Sequence, residues 1–318
     1  MGAVISDPRI DSVTNKFLPG DLVQVCSEQE ILATLDAKGT LENLPFMPEM
    51  LKFCGQTFRV SRQAFKTCVD DQEMRQLDRT VFLEEARCDG ASHGGCDRAC
   101  LIFWKEAWLK PLRHQNGNGN NHHKVSVPKI DRATLIASAQ RDGQFFCQST
   151  EILNASRPLP WWDAKQYLWD LKYNRVSLLN WIQGLFIAFY NKVAHILKLK
   201  SWRFVAGPVQ GSYRSEPLNL QPGEMVRVKS LEQIRKTLDA EGKNQNLLFA
   251  PTMMSFCGRE LRVQDRVENI ILEATTKQRK IKDTVLLEGS TCDGVCHRLC
   301  PRQSFLFWRE CWLERVPS

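Results

Sequence analysis

Short runs of alternating apolar and polar residues, punctuated by Gly, Pro, Asn and Asp, dominate both ends of the chain. Gly20–Val25 (Gly-Asp-Leu-Val-Gln-Val) follows a Pro-Gly pair and alternates, which predicts a first strand. Phe58–Arg62, Thr80–Glu84 and Trp104–Leu109 read as further strands. Ser27-Glu-Gln-Glu opens a helix through about Leu35, because Ser27 can cap the free amides and Glu30 completes a capping box; Gly39 then ends it.

The middle of the chain has a different period. Pro160 precedes the helical run Trp161–Leu171. Ser177 caps Leu178–Leu197, in which 14 of 20 residues are apolar or aromatic and Lys192 is the one formal charge. Asn180, Gly184, Asn191 and His195 recur close to helical spacing as a narrow stripe beside a wide apolar arc. Such a helix packs on the same chain, binds a partner helix, or lies in a membrane interface with Lys198, Lys200 and Arg203 toward the headgroups. The longest unbroken apolar run, Leu185–Tyr190, is too short to span a bilayer.

The alternating pattern occurs twice. Gly20–Val60 matches Gly223–Val263 at a constant offset of 203 with 20 of 41 positions identical, and Thr80–Leu109 matches Thr284–Leu313 at offset 204 with 15 of 30 identical. The expected fold is therefore α+β, mostly β. It consists of two copies of a small Src-homology-3-like barrel, residues 17–113 and 220–316, with one short helix each. A flexible linker (114–130) and a helical connecting segment (131–219) join them. The barrel reading is an analogy from the Gly-Asp-Leu-Val start and the strand count.

Composition narrows the function classes. With 318 residues, 43% hydrophobic and 25% charged, the chain is neither disordered nor a coiled coil. A net charge of +7 is too small an excess to imply a nucleic-acid partner. Residues 1–17 carry Asp7, Arg9, Asp11 and Lys16 and no apolar run, so a reducing cytoplasmic setting is expected, with a peripheral place at a membrane through 178–197. Met1–Ser6 also fits a myristoylation pattern.

In that setting twelve cysteines read as metal ligands before disulfides. Both copies contain C-x4-H-x2-C: Cys88, His93 and Cys96 in the first, and Cys292, His297 and Cys300 in the second. A shared Phe-Cys-Gly adds Cys54 and Cys257. Three thiols and one imidazole per copy suit a structural zinc site, with iron as the alternative. A second register pairs Cys96 and Cys100 with Cys296 and Cys300 and gives all-thiolate sets. Buried structural thiols, and a redox or iron–sulfur role, stay open beside zinc. Cys26, Cys68, Cys147 and Cys311 have no matched partner and read as core or surface thiols. His122-His123 reads as incidental.

Trp104 and Trp108, matched by Trp308 and Trp312, share one face of a regular strand and form either a core lid or a stacking surface, with Glu106 and Glu310 between them. No phosphate loop, dinucleotide fingerprint or nucleophile elbow is present. The expected function is a non-catalytic, metal-stabilised scaffold binding a protein partner; a metalloenzyme or redox protein is the alternative.

The order Gly-Asp-Leu-Val, Leu-Pro-Phe-Met-Pro-Glu-Met-Leu, Phe-Cys-Gly, Cys-Asp-Gly-x-x-His-Gly-Gly-Cys and Phe-Trp-Lys-Glu-Ala-Trp-Leu resembles a family of uncharacterised bacterial proteins over nearly the whole chain. The resemblance implies no activity, cofactor or partner.

Overall fold

The computed structural model describes residues 16–69, 73–112, 128–141, 143–211, 213, 215–273 and 275–316. Met1–Ser6 and the His122-His123 pair lie outside the described residues.

The protein is α+β and mostly strand, built from small antiparallel sheets. In the first unit five strands pair in the order Leu101–Lys105, Thr80–Arg87, Thr57–Gln63, Leu22–Val25, Leu109–Pro111. The second unit runs Trp308–Arg309, Thr284–Leu287, Glu260–Arg266, Met225–Val228, Leu313–Arg315. The registers correspond: Leu22 faces Arg59, and Met225 faces Arg262. A bulge between Val60 and Arg62 recurs between Val263 and Asp265, and in each case it bends the long central strand. The helices are α1 (Glu28–Leu32), α2 (Arg132–Ala137), α3 (Lys165–Tyr173), α4 (Leu178–Ile196) and α5 (Leu231–Arg235). The capping box closes as expected on α1, from Ser27 and Glu30, and on α5, from Ser230 and Gln233.

The tryptophan pairs are core, not surface. All four rings are fully buried. Phe46 meets Trp104 and Trp108 edge-on at 6.4 and 5.3 Å, and Phe249 does the same to Trp308 and Trp312 at 6.4 and 5.4 Å. The expected strand Trp104–Leu109 is interrupted: pairing stops at Lys105, and Glu106–Trp108 is a 3-10 turn. This turn aims Glu106 inward, where its Oε1 accepts the backbone N–H of Lys16 at 2.9 Å. Glu310 accepts from Asn219 and Leu220 at 2.8 and 3.0 Å. Each carboxylate thus pins the chain as it enters the first strand of its unit.

The units meet along a seam built twice. The Arg98 guanidinium donates to the Ile271 carbonyl at 2.9 Å, and its sequence match Arg302 donates to the Cys68 carbonyl at 3.1 Å. Cys68 and Ile271 occupy matched positions at offset 203, so each unit's cysteine loop grips the other's hairpin. The Arg98–Arg302 match, kept by the gap-free register, therefore has a structural cause. Behind the second grip Lys66 forms a fully buried ion pair with Asp170 at 2.6 Å and donates to the Arg298 carbonyl at 2.6 Å. Burial pushes both groups toward neutrality: the Asp170 carboxyl rises to about 7, and the Lys66 ammonium falls below its ordinary range.

Candidate metal centre and the thiol seam

The cysteine loop is shaped by its Asp-Gly turn. Gly90 and Gly294 adopt φ of +68° and +75°, and an added Cβ would sit 2.2 and 2.0 Å from the carbonyl oxygens of Cys96 and Cys300. The turn folds the chain back so that the Gly90 N–H points at Cys88 Sγ (3.4 Å) and the Gly294 N–H at Cys292 Sγ (3.4 Å). The Cys88 N–H bonds the Cys100 carbonyl at 2.9 Å, and the Cys292 N–H bonds the Ser304 carbonyl at 2.8 Å. Cys100 therefore corresponds to Ser304, as the gap-free register has it, and the all-thiolate register does not follow the backbone.

In the first unit the loop delivers His93 to a buried carboxylate. His93 Nδ1 lies 2.6 Å from Glu49 Oε1, and both side chains are almost wholly buried. The Ser92 N–H donates to the same oxygen at 2.9 Å, and His93 Nε2 lies 3.2 Å from the Phe146 carbonyl. Glu49 Oε2 is buried without a hydrogen-bond partner. One ligand atom each from Glu49, Cys88 and His93 lies within 4.8 Å of the others; among the described residues no other such group of three forms. A cavity of about 30 Å³, room for one water, adjoins Cys88 and His93, lined among others by Cys96, Cys100 and Cys147. Burial and then the Glu49 charge push the Cys88 thiol far up, so without a metal it is protonated.

Cys54 is not part of this group. It caps the far end of the 3-10 turn Pro48–Phe53 that begins beside Glu49, about 10 Å along at the usual rise. There the groups that bear on it are Glu28, Cys26 and Arg132, while burial raises its thiol to about 11. Cys96 lines the cavity but is not one of the three gathered groups.

The second unit differs at the decisive position. Thr252 stands where Glu49 does, and its neutral hydroxyl bears on the Cys292 and Cys296 thiols in place of a carboxylate. Burial pushes the Cys292 thiol up to about 12. Cys257 caps the turn Pro251–Phe256 just as Cys54 caps its own. The set Cys257, Cys292, His297 and Cys300 does not gather within 4.8 Å. Instead Cys300 turns to the seam: its Sγ accepts the Cys68 N–H at 3.2 Å and lies 3.5 Å from Cys68 Sγ. The Cys68 hydrogen bond and the neighbouring Arg302 draw the Cys300 thiol down to about 6, and the same contact raises Cys68.

Sequence reasoning missed Glu49, Cys68 and the seam role of the two arginines. The usable signal was asymmetry: Glu49 and Cys68 are positions where otherwise similar copies differ. No protein-family model, curated protein or solved structure matches the chain.

The connecting segment covers the two loops in different ways. Phe145 and Phe146 lie over His93, so a Cβ on Gly94 would meet the Phe145 ring at 2.7 Å. α4 covers the second loop, where a Cβ on Gly184 would meet Leu299 at 2.7 Å and Ile187 joins a small core with Val295 and Leu299. Asn191 accepts the Trp202 N–H at 2.8 Å. The small and polar positions Gly184 and Asn191 thus turn inward, and much of the apolar arc faces outward. Ile182, Phe186, Phe189, Val193 and Ile196, spaced four, three, four and three residues apart, are all exposed. Among the described residues no helix is long and apolar enough to cross a membrane.

Proposed function

We propose that this protein is a non-catalytic scaffold of two Src-homology-3-like units that rests on an anionic membrane surface through α4. The observation that carries the reading is the outward apolar face of that helix: Leu179 is 80%, Ile196 66% and Phe189 61% exposed. Soluble monomers rarely display so continuous a patch without a use for it. Charge selects the occupant. From Leu171 to Ser215 the sequence holds seven basic residues and no acidic one, while its other 36 basic residues balance all 36 acidic ones. The whole net charge of +7 therefore lies in the stretch containing the apolar face. Such a face sinks into the headgroup boundary, and each Lys or Arg near an anionic surface adds about 1 kcal/mol.

Co-sedimentation with vesicles tests this. The protein should pellet with vesicles of equal parts phosphatidylcholine and phosphatidylglycerol, far less with phosphatidylcholine alone, and less as salt rises. Phe186→Asp with Phe189→Asp should abolish pelleting. Lys198→Gln, Lys200→Gln and Arg203→Gln together should weaken it on the order of 100-fold, since about 3 kcal/mol is removed. A protein that stays in the supernatant sinks the reading. If it does so as a dimer that Phe189→Asp dissociates, the face belongs to a second copy instead.

A second reading, metal binding in the first unit, is favoured by the orphaned Glu49 Oε2 beside Cys88 and His93. Carboxylate, thiolate and imidazole are zinc ligand types, and three of them leave a fourth position open. Binding would displace the Cys88 proton and part His93 Nδ1 from Glu49, so uptake should fall with decreasing pH. On this reading one ion binds per chain, in the first unit.

A further inference from the structure

We propose that Cys68 and Cys300 are a site of oxidative modification, closing to a disulfide that staples the two units across their seam. The inference does not rest on the membrane reading. The two sulfurs are in contact at 3.5 Å, and the Cys68 N–H holds Cys300 Sγ at 3.2 Å. Both residues are anchored. Cys68 lies in the strand Lys66–Val69, directly opposite Met74, and the buried Arg302 guanidinium donates to its carbonyl at 3.1 Å. Cys300 is 3% exposed and seated by its N–H bond to the His297 carbonyl at 3.0 Å. The sulfurs need to approach by roughly 1.5 Å to bond, a side-chain adjustment.

The molecule contains its own control. At the equivalent place in the other seam Cys96 matches Cys300, but Ile271 stands where Cys68 does. The arginine grip is kept there and the thiol pair is not. The contact is therefore not a by-product of the shared fold; it depends on one side chain that the second unit lacks.

A hydroperoxide supplies the oxidant. Cys300, whose thiol the Cys68 hydrogen bond and Arg302 hold low, attacks one oxygen of hydrogen peroxide as its thiolate. The O–O bond breaks, a first water leaves after protonation, and Cys300 becomes a sulfenic acid. The Cys68 sulfur, 3.5 Å away, then attacks the Cys300 sulfur, the S–O bond breaks, and the second water leaves as the S–S bond forms. Two thiol protons and two electrons reduce one peroxide to two waters. In a reducing cytosol the bond would be a reversible mark of oxidant exposure.

The test is a tryptic map of the full-length protein after dithiothreitol or brief hydrogen peroxide treatment, with free thiols alkylated before digestion. Trypsin releases Thr67–Arg75 and Leu299–Arg302, each with one cysteine. These two should appear as one joined peptide after peroxide, with the alkylated thiol count down by two, and separate after dithiothreitol. Cys96→Ser should leave the joined peptide intact; Cys68→Ser should abolish it. Joined peptides dominated by Cys300 with Cys292 or Cys296 overturn the proposal, as does retention of both free thiols under peroxide that oxidises exposed thiols. Circular dichroism of Cys68→Ser separates loss of the bond from loss of the fold: a native spectrum without the joined peptide supports the proposal. If Cys68→Ser is unfolded, the wild-type map decides by itself.

Discussion

The two cysteine loops start from the same backbone and end in different chemistry. Each turns on an Asp-Gly pair, points a glycine N–H at its first thiol, and extends an arginine to a carbonyl of the opposite hairpin. In the first unit an acidic side chain, Glu49, draws His93 into a buried pair next to Cys88. In the second, the neutral Thr252 stands in place of that carboxylate, and Cys300 faces Cys68 across the seam. The shared parts set the chain path. The differences lie in single side chains at positions that the path leaves free. Between two matched halves of a chain, symmetric residues report folding and asymmetric ones report where new chemistry can arise.

The largest contrast should come from Lys66 and its match Asn269. Lys66→Met leaves Asp170 buried without its ammonium and should cost about 3–5 kcal/mol, read as a lower midpoint in urea unfolding. Asn269→Ala should cost less than about 1 kcal/mol. The pH dependence has a definite sign. Burial raises the folded Asp170 carboxyl from 3.8 to about 7, so the folded state binds more protons there than the unfolded one. Its contribution is full below the unfolded value and is lost as pH rises through about 7, a slope that Asp170→Asn should remove. Equal costs at Lys66 and Asn269 would show that the seam is symmetric in energy despite its residues.

Glu49 and Thr252 give the next contrast. Titration with zinc followed by elemental analysis should find near-stoichiometric uptake in the wild type, loss on Glu49→Gln, and no change on Thr252→Val. Without metal, Glu49→Gln should destabilise by about 1–3 kcal/mol, because His93 and the Ser92 N–H lose the buried carboxyl they share. Uptake unaffected by Glu49→Gln removes the metal reading and leaves a structural Glu–His pair.

The smallest effect is a predicted equality. Cys54→Ser and Cys257→Ser alter two half-buried thiols that cap matched turns away from the gathered group. Each should shift stability by less than about 1 kcal/mol, and by the same amount within error. A large loss at Cys54 alone would return it to the ligand set.

Much of this protein was legible in its sequence because local rules wrote it. Capping boxes at Ser27 and Ser230, the glycine turns, the strand starts and the offset of 203 all act through neighbours in the chain, and the structure places them accordingly. The tryptophans were legible as a matched pair, core lid or stacking surface, and burial made them core; the turn at Glu106–Trp108 that interrupts their strand was not legible. The ligand sets were only partly legible. Matched cysteines identify loops that share a path, but Cys54 is not in the group with Cys88, since the turn Pro48–Phe53 carries it away from Glu49. Periodicity revealed the apolar arc of α4 without its direction. Gly184 against Leu299 decided that, since only the narrow, small side of the helix fits the second loop. Sequence alone therefore determined the repeated units and their charge, because hydrogen-bond geometry and backbone sterics act between neighbours. Tertiary structure alone decided which thiol meets which, and which helix face stays bare, because those depend on packing between residues more than a hundred positions apart.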